Sequence, residues 1–561
     1  MRRLIGGLGV FALLYYFSCS PAHEIALPPA KYVGDSTCAT CHADIYQAYR
    51  RTWKAHSLSP AHASQGFIED FSQPPVYDSH RNFYYRAVQE GDSLYIYEWR
   101  LQGKDTLYLR REKIDFIIGS GHQTRSYLLW RNGFLYEAPI TWYARVRRWG
   151  LSPGYDEGKN SRFSREIQPA CLFCHASGWQ PIPYTYNRYT RIGGAIGCES
   201  CHGPGSYHVQ NPQDTTYFWS KWHPLRQMDV CSRCHLEGIT VEKRQGWKPG
   251  DTLSAYYAIF LPERAELGSF GIASHAERLL RSACFQKGKL TCTSCHHPHP
   301  IQAVPSYEQR CLSCHKQGCR NPAHSSGGCI GCHMPKGTSS DIPHTTFTDH
   351  YIRVVRRGET KPLLRPKLLC ATEPHPDSAW IAEAYLKWYS QEKTEPWVLE
   401  TLSHFPPQYL KDGVKAQFLL LQGQAAQALP YAQRAIQRDS SLLMREIYGL
   451  LLESAGKKEE AFTVWRELMR DAPAYPEASF RYVLLGYELG RISTEHAYHL
   501  LDSLCQVQPW NPQFHYNAAF FAAQLGRSQE ACGHLEAALR AEPDYKPAAS
   551  THGKICSLTL R

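Results

Sequence analysis

Apolar residues along this chain follow three rhythms. Between residues 76 and 150 they fall in short runs rich in β-branched and aromatic side chains: Phe83-Tyr84-Tyr85-Arg86-Ala87-Val88, Leu94-Tyr95-Ile96-Tyr97 and Thr106-Leu107-Tyr108-Leu109. Glu90-Gly91-Asp92 and Gln102-Gly103-Lys104 separate the runs as hairpin turns, so an antiparallel β-meander is expected. Its aromatic side chains are either the sheet's own core or a wall against a neighbouring group. Beyond about residue 370 the period becomes helical and a longer repeat is laid over it. Gly423, Ala428 and Ala435 recur as Gly456, Ala461, Leu468 and Pro473, and again as Gly526, Ala531, Ala538 and Pro543, with Gly490 and Pro509 marking a less regular copy. In the rest of the stretch from about 30 to 350, Asp44 to Ala55 reads as a helix, but long apolar periodic runs are scarce.

The repeat spacing is 33 to 36 residues, with Gly in the inter-helix turn, small residues where helices cross and Pro after the second helix. That is the tetratricopeptide pattern, and it predicts an all-α solenoid of three or four repeats, preceded by a degenerate one from about Asp377. Such a solenoid either holds a partner protein in its groove or caps and stiffens its neighbour. A chain of 561 residues is too long for one core, so two or three domains are expected.

Cysteine and histidine show what stands in for an apolar core between 30 and 350. The pattern Cys-x-x-Cys-His occurs seven times. In chain order the first copy, Cys38-Ala-Thr-Cys41-His42, stands apart, and six follow between 171 and 333: Cys171-Leu-Phe-Cys174-His175, Cys198-Glu-Ser-Cys201-His202, Cys231-Ser-Arg-Cys234-His235, Cys292-Thr-Ser-Cys295-His296, Cys311-Leu-Ser-Cys314-His315 and Cys329-Ile-Gly-Cys332-His333. Two thiols three positions apart can add to the two vinyl groups of one haem, and the next histidine then becomes the proximal iron ligand. Paired cysteines also suit zinc or disulfides, but neither explains the histidines. With 27 His in the chain, a His after a given Cys is about a 5% event, and seven by chance are roughly one in a billion. Seven covalently bound haem c groups are therefore expected, and the domain holding them should not fold without them. The six motif starts are 27, 33, 61, 19 and 18 residues apart, so the last three haems must touch.

The resulting organisation is α+β: an export signal at 1–18, a linker at 19–36, a haem-cored, loop-rich cytochrome domain at 37–350 with the β-rich insert 76–150, a linker at 351–376, and the solenoid at 377–561. The formal charge of +11 would by itself suggest an acidic partner. Two propionates per haem bring about 14 negative charges, which offsets it and argues against nucleic acid. Met1-Arg2-Arg3 followed by an apolar run from Leu4 to Phe17 reads as an export signal too short to span a membrane. Cys19 resembles the lipid-attachment cysteine of bacterial lipoproteins, although Tyr16 stands where those signals usually carry Leu, and the alternative is that Cys19 leaves with the cleaved peptide. Membrane contact is expected only through that lipid. Cys284, Cys319, Cys370, Cys505, Cys532 and Cys556 could pair as disulfides in an oxidising compartment or stay as buried free thiols, and sequence does not give the pairing.

A haem held by two histidines is closed and serves electron transfer, whereas one held by a single His keeps a position for substrate. Thirteen further histidines lie between His23 and His350, enough to close every iron. His208 and His299 follow proximal histidines too closely to swing round the same porphyrin, so each should reach a neighbouring haem. His344 and His350, then His56, His80 and His275, complete the candidate distal set, with His122, His324, His62, His223 and His297 in reserve. The alternative for each is a hydrogen bond to a propionate. The isolated first copy is the expected entry point or open iron.

Four stretches carry a resemblance: Ile117-Ile118-Gly119-Ser120-Gly121 with Ser126-Tyr127-Leu128; Cys198-Glu-Ser-Cys-His-Gly-Pro-Gly205 with His208; Cys295-His296-His297-Pro298-His299; and Cys332-His333-Met334-Pro335 with Phe347-Thr348-Asp349-His350. The chain resembles the tetratricopeptide-containing multihaem c-type cytochromes of bacteria, and its haem motifs are similar to those of the wider group of multihaem nitrite reductases and hydroxylamine oxidoreductases. Ammonifying nitrite reductases carry a catalytic Cys-x-x-Cys-Lys motif, and every copy here ends in His. The resemblance thus implies a secreted electron-transfer protein, located in the periplasm, on the outer membrane or at the cell surface, whose repeats dock a redox partner. Two alternatives stand beside it: an oxidoreductase acting on a small nitrogen or sulfur compound at one open haem, and a homo-oligomeric subunit of an extracellular cytochrome polymer.

Overall fold

The architecture comes from a computed structural model, which describes residues 30–156, 158–213, 219–236, 238–263, 271–288, 290–300, 305–317, 328–339, 341–354, 365, 367–392, 396–406, 408 and 410–556. The expected export signal, Cys19, Cys319 and His324 lie outside the described residues. The chain is α+β. Among the described residues no helix is long and apolar enough to cross a membrane.

The meander forms as a four-stranded antiparallel sheet of Val76–Asp78, Phe83–Glu90, Ser93–Gln102 and Asp105–Ile114. Gly91 and Gly103 turn its hairpins at φ of 57° and 63°, a region that favours a residue without Cβ. Strands also occur on either side of 76–150. A second sheet combines Leu58–Pro60, Phe116–Ile118, Thr124–Arg131, Phe134–Glu137, Ile140–Tyr143, Arg148–Leu151 and Arg165–Glu166. Leu58 pairs with Ile118, a contact between distant positions that short-range periodicity does not reveal. Phe83, Tyr85, Leu94, Ile96, Ile117, Tyr127, Leu129, Ile140 and Trp142 are buried together, so these aromatic residues are the core of the sheets. The helix expected over 44–55 covers Ala43–Arg50 and ends in a tight turn at Trp53–His56.

Beyond residue 377 the chain folds into helix pairs: Ser378–Glu392 with Trp397–Ser403, Asp412–Leu421 with Ala425–Ile436, Leu442–Ser454 with Lys458–Asp471, Pro476–Glu488 with Thr494–Val507, and Pro512–Gln524 with Ser528–Ala541, closed by Lys546–Cys556. Gly423, Gly456, Gly490 and Gly526 occupy the turns within four of these pairs at φ of 65–75°. A disulfide joins Cys532 to Cys556 and ties the last helix to its neighbour. Trp465 is fully buried, and its indole Nε1–H donates to Glu453 Oε1 at 2.6 Å. Trp465→Ala is expected to cost about 3–5 kcal/mol, lowering the denaturant midpoint of the helical signal and leaving haem absorption unchanged.

Both ends of the solenoid are held by the rest of the chain. At its start, a three-stranded sheet of Ile239–Glu242, Tyr257–Pro262 and Leu368–Cys370 shares a core with the first helices. At its far end, loops between helix pairs meet the β-rich region. There Arg100 pairs with Asp544 at 2.8 Å, Asn132 Nδ2 donates to Val507 O at 2.8 Å, and Trp510 Nε1 donates to Tyr136 Oη at 3.2 Å.

Candidate functional site

Each Cys-x-x-Cys-His copy occupies about one helical turn, which places two thiols three positions apart on one face and carries the histidine back beneath them. The backbone N–H groups of His42, His202, His296 and His315 donate to the carbonyl of the first cysteine of their copy at 2.9, 3.0, 2.8 and 2.9 Å. Helices Asp35–Cys41, Pro169–His175, Glu199–His202, Pro224–His235, Tyr307–Cys314 and Cys329–His333 and the tight turn Cys292–Ser294 carry the motifs. Only one is longer than two and a half turns, as expected where a prosthetic group must complete the core.

The copies converge. Thiols of different copies lie beside one another: Cys38 by Cys198, Cys174 by Cys234 and Cys231 by Cys292. Burial, and then Cys231 of the fourth copy, pushes the Cys201 thiol of the third up to about 12. Arg310, next to Cys311, donates to Ser294 O of the fifth copy at 3.2 Å, and Glu308 accepts from the Gly328 N–H before the seventh at 3.0 Å. A continuous run of neighbours therefore leads from the first copy through the third, fourth, fifth and sixth to the seventh, with the second beside the fourth. The first copy stands apart in sequence but not in space. Glu199, buried inside the third copy, accepts from the N–H groups of Val33 at 2.9 Å, Gly34 at 2.8 Å and Gly205 at 2.8 Å, and Asp35 accepts from Cys198 N–H at 2.8 Å. Neither carboxylate is distinguished by sequence pattern.

Three pairs of imidazole rings face one another almost in parallel. His42 and His208 have ring centres 6.1 Å apart with planes 15° from parallel; His202 and His299 are 5.9 Å apart at 22°; His296 and His350 are 6.1 Å apart at 25°. Two imidazoles on opposite sides of one metal at about 2 Å each have centres about 6 Å apart, so the spacing fits an iron with two histidine ligands. The hydrogen bonds agree with this at one pair. His350 Nδ1 lies 2.9 Å from Thr348 O, which can only accept, and His296 Nδ1 lies 3.3 Å from Tyr307 Oη. With Nδ1 committed to the protein, Nε2 is the nitrogen offered to a metal. His333 Nδ1 is held the same way, 3.0 Å from Arg353 O. Burial, with His299 and His42 adding to it, pushes His202 down to about 4, and burial also lowers His296, His299 and His350. Neutral imidazole is the form that binds metal.

His275 lies against a motif histidine, and the other candidates have protein partners of their own. The ring of His275 is 5.0 Å from His235 and perpendicular to it, and 4.7 Å from His350. Lys54, which sequence reasoning did not single out, places Nζ 3.3 Å from His235 Nε2. His56 Nε2 donates to Arg50 O at 3.0 Å. His80 sits in a hairpin turn, its N–H donating to Asp78 Oδ1 at 3.0 Å, and His344 packs edge-on to Tyr143 under the Arg148 guanidinium. His62 and His223 accept through Nδ1 from the N–H groups of Ser64 at 3.2 Å and Leu225 at 3.3 Å, which is the work of a helix cap. His122 lies against Trp53, ring centres 5.0 Å apart.

A family model described as "Cytochrome c554 and c-prime" matches residues 154–203. The match spans the second and third Cys-x-x-Cys-His copies, so this stretch is similar to a c-type cytochrome. No curated protein matches the chain. Among solved structures, the outer cell wall cytochrome OcwA is 14% identical, with 85% of this chain and 99% of that one covered at a TM-score of 0.36. The TPR protein YrrB is 13% identical over 31% of this chain and 82% of its own, TM-score 0.23. A thermophilic TPR protein of Thermus thermophilus is 16% identical over 32% and 90%, TM-score 0.23.

Proposed function

We propose that this chain is an exported heptahaem c-type cytochrome that passes electrons along adjacent haems. The observation that carries the reading is the set of three parallel imidazole pairs, each joining a motif histidine to a histidine from a different part of the chain. Haem c, when bound, supplies an iron that takes up and releases one electron at a time. The residues of this chain do the rest. The seven cysteine pairs hold the groups; His42 with His208, His202 with His299 and His296 with His350 each close one iron; and the contacts between copies bring the attachment points into one series. His175, His235, His315 and His333 supply the remaining proximal ligands. The solenoid, clamped at both ends, is free to offer its other surfaces to a redox partner protein. Cys19 provides the membrane attachment if it is lipidated, and the propionates balance the basic charge.

The haem-loaded protein is expected to contain seven irons and seven covalent haems per chain. His208→Ala, His299→Ala and His350→Ala should each convert one low-spin iron to high-spin, counted by electron paramagnetic resonance. Unchanged low-spin counts in all three variants would sink the assignment.

One observation favours a second reading. At His235 the neighbouring ring is perpendicular, and an ammonium group from Lys54 lies beside the ligand nitrogen. The fourth copy is then a second place, beside the first, for an open iron acting on a small nitrogen or sulfur compound. A spectral response of the reduced protein to nitrite or hydroxylamine would support it, and no response would sink it.

A further inference from the structure

Away from the motifs, three potential metal ligands converge inside the solenoid. Cys505 lies on helix Thr494–Val507, His515 on Pro512–Gln524 and His534 on Ser528–Ala541. One ligand atom from each falls within 4.8 Å of the other two. Cys505 is 4% and His515 7% exposed.

The hydrogen bonds determine what the rings present to one another. His515 Nε2 is 3.1 Å from Pro509 O, and a carbonyl accepts only, so Nε2 carries the proton and Nδ1 of the neutral ring carries a lone pair. His534 Nε2 is 3.7 Å from Asp502 Oδ1, too far for a hydrogen bond but near enough for the carboxylate charge to favour a cation at this ring. The two Nδ1 atoms face each other 3.1 Å apart. At that distance either His534 Nδ1 donates a proton to His515 Nδ1 or one cation lies near both nitrogens. Two nitrogens bound to one tetrahedral zinc lie about 3.3 Å apart, and a thiolate at about 2.3 Å from the metal completes three positions.

We propose that Cys505, His515 and His534 bind one borderline-soft divalent transition-metal ion, zinc(II) or copper(II), with the Pro509 carbonyl orienting His515 and the Asp502 charge beside His534. Two nitrogens and one thiolate suit either ion, and binding would displace the thiol proton. The ion would tie three consecutive helices together. It would also brace the end of that helix and the loop after it, where the Val507 carbonyl and the Trp510 indole contact Asn132 and Tyr136 of the β-rich region. Cys532, Glu536, His552 and Cys556 form a second cluster, but its two thiols are joined in a disulfide.

The test uses the haem-loaded full chain, stripped with chelator, equilibrated with zinc sulfate in one arm and copper sulfate in the other, desalted and analysed for metal. About one ion per chain is expected in at least one arm, and the arm that fills identifies the metal. X-ray absorption at that metal's edge, which the haem irons do not obscure, should show one sulfur near 2.3 Å and nitrogens near 2.0 Å for zinc, or the corresponding sulfur and nitrogen shells for copper. Cys505→Ser and His534→Gln should each reduce retained metal at least tenfold, and Cys532→Ser should not. Less than a tenth of an ion in both arms, a metal shell without sulfur, or full retention by both ligand variants would overturn the proposal. If the variants do not fold, the wild-type absorption spectrum decides it.

Discussion

Asp349→Ala is expected to convert one low-spin haem to high-spin and to destabilise the haem-loaded protein by about 3–5 kcal/mol. Asp349 is 3% exposed and accepts from Arg278 Nε at 2.8 Å, Arg278 Nη2 at 2.7 Å and Arg353 Nη1 at 2.7 Å. Arg278 is itself 2% exposed, so removing the carboxylate takes the two-bond partner from a buried guanidinium. The next residue is His350, whose ring faces His296, and a loosened backbone there should withdraw the ligand. Denaturation monitored in the far ultraviolet and a count of high-spin iron test the two effects separately. The same group gives a pH dependence. Burial alone would raise the Asp349 carboxyl, but bonds from Arg278, the Tyr351 N–H and Arg353 outweigh it and hold the carboxyl below its usual range. Its contribution is therefore complete above the unfolded value of about 4 and is lost as pH falls through the folded value.

Arg162→Ala is expected to cost a similar 3–5 kcal/mol and to release the end of the solenoid from the β-rich region. Arg162 is 2% exposed and Glu98 0%; Arg162 Nε donates to Glu98 Oε2 at 2.8 Å, and its Nη2 bonds Glu98 Oε1. Its Nη1 reaches Ala541 O at 2.9 Å and its Nη2 reaches Tyr108 Oη at 2.9 Å, so one side chain links a strand pair to the C-terminal end of helix Ser528–Ala541. Arg162→Lys should recover little, because one ammonium cannot make the fork that serves Glu98 and the carbonyl together. Amide exchange should accelerate in 94–108 and 540–545 in Arg162→Ala, with the motif-bearing segments unchanged. Uniform protection across both stretches would show that the other ion pairs of this contact suffice.

The sequence alone determined those features whose cause is local. Alternating runs around Gly91 and Gly103 form hairpins because pleat and turn are decided over a few residues. The repeat glycines mark turns because a positive φ excludes most side chains. The haem motifs are legible because thioether attachment needs two thiols and a histidine within five consecutive positions. Tertiary structure decided what depends on distant residues meeting. His42 faces His208 and His296 faces His350 only because the first copy folds onto the third and the segment before His350 is held by Arg278, and no spacing rule contains either contact. The same holds for Leu58 pairing with Ile118, for Lys54 reaching His235, and for Cys505 meeting His515 and His534. A histidine's chemistry is written in its type, but its ligand partner is set by the fold, because two ring nitrogens can share a metal only where packing of the whole chain brings them within a few ångströms.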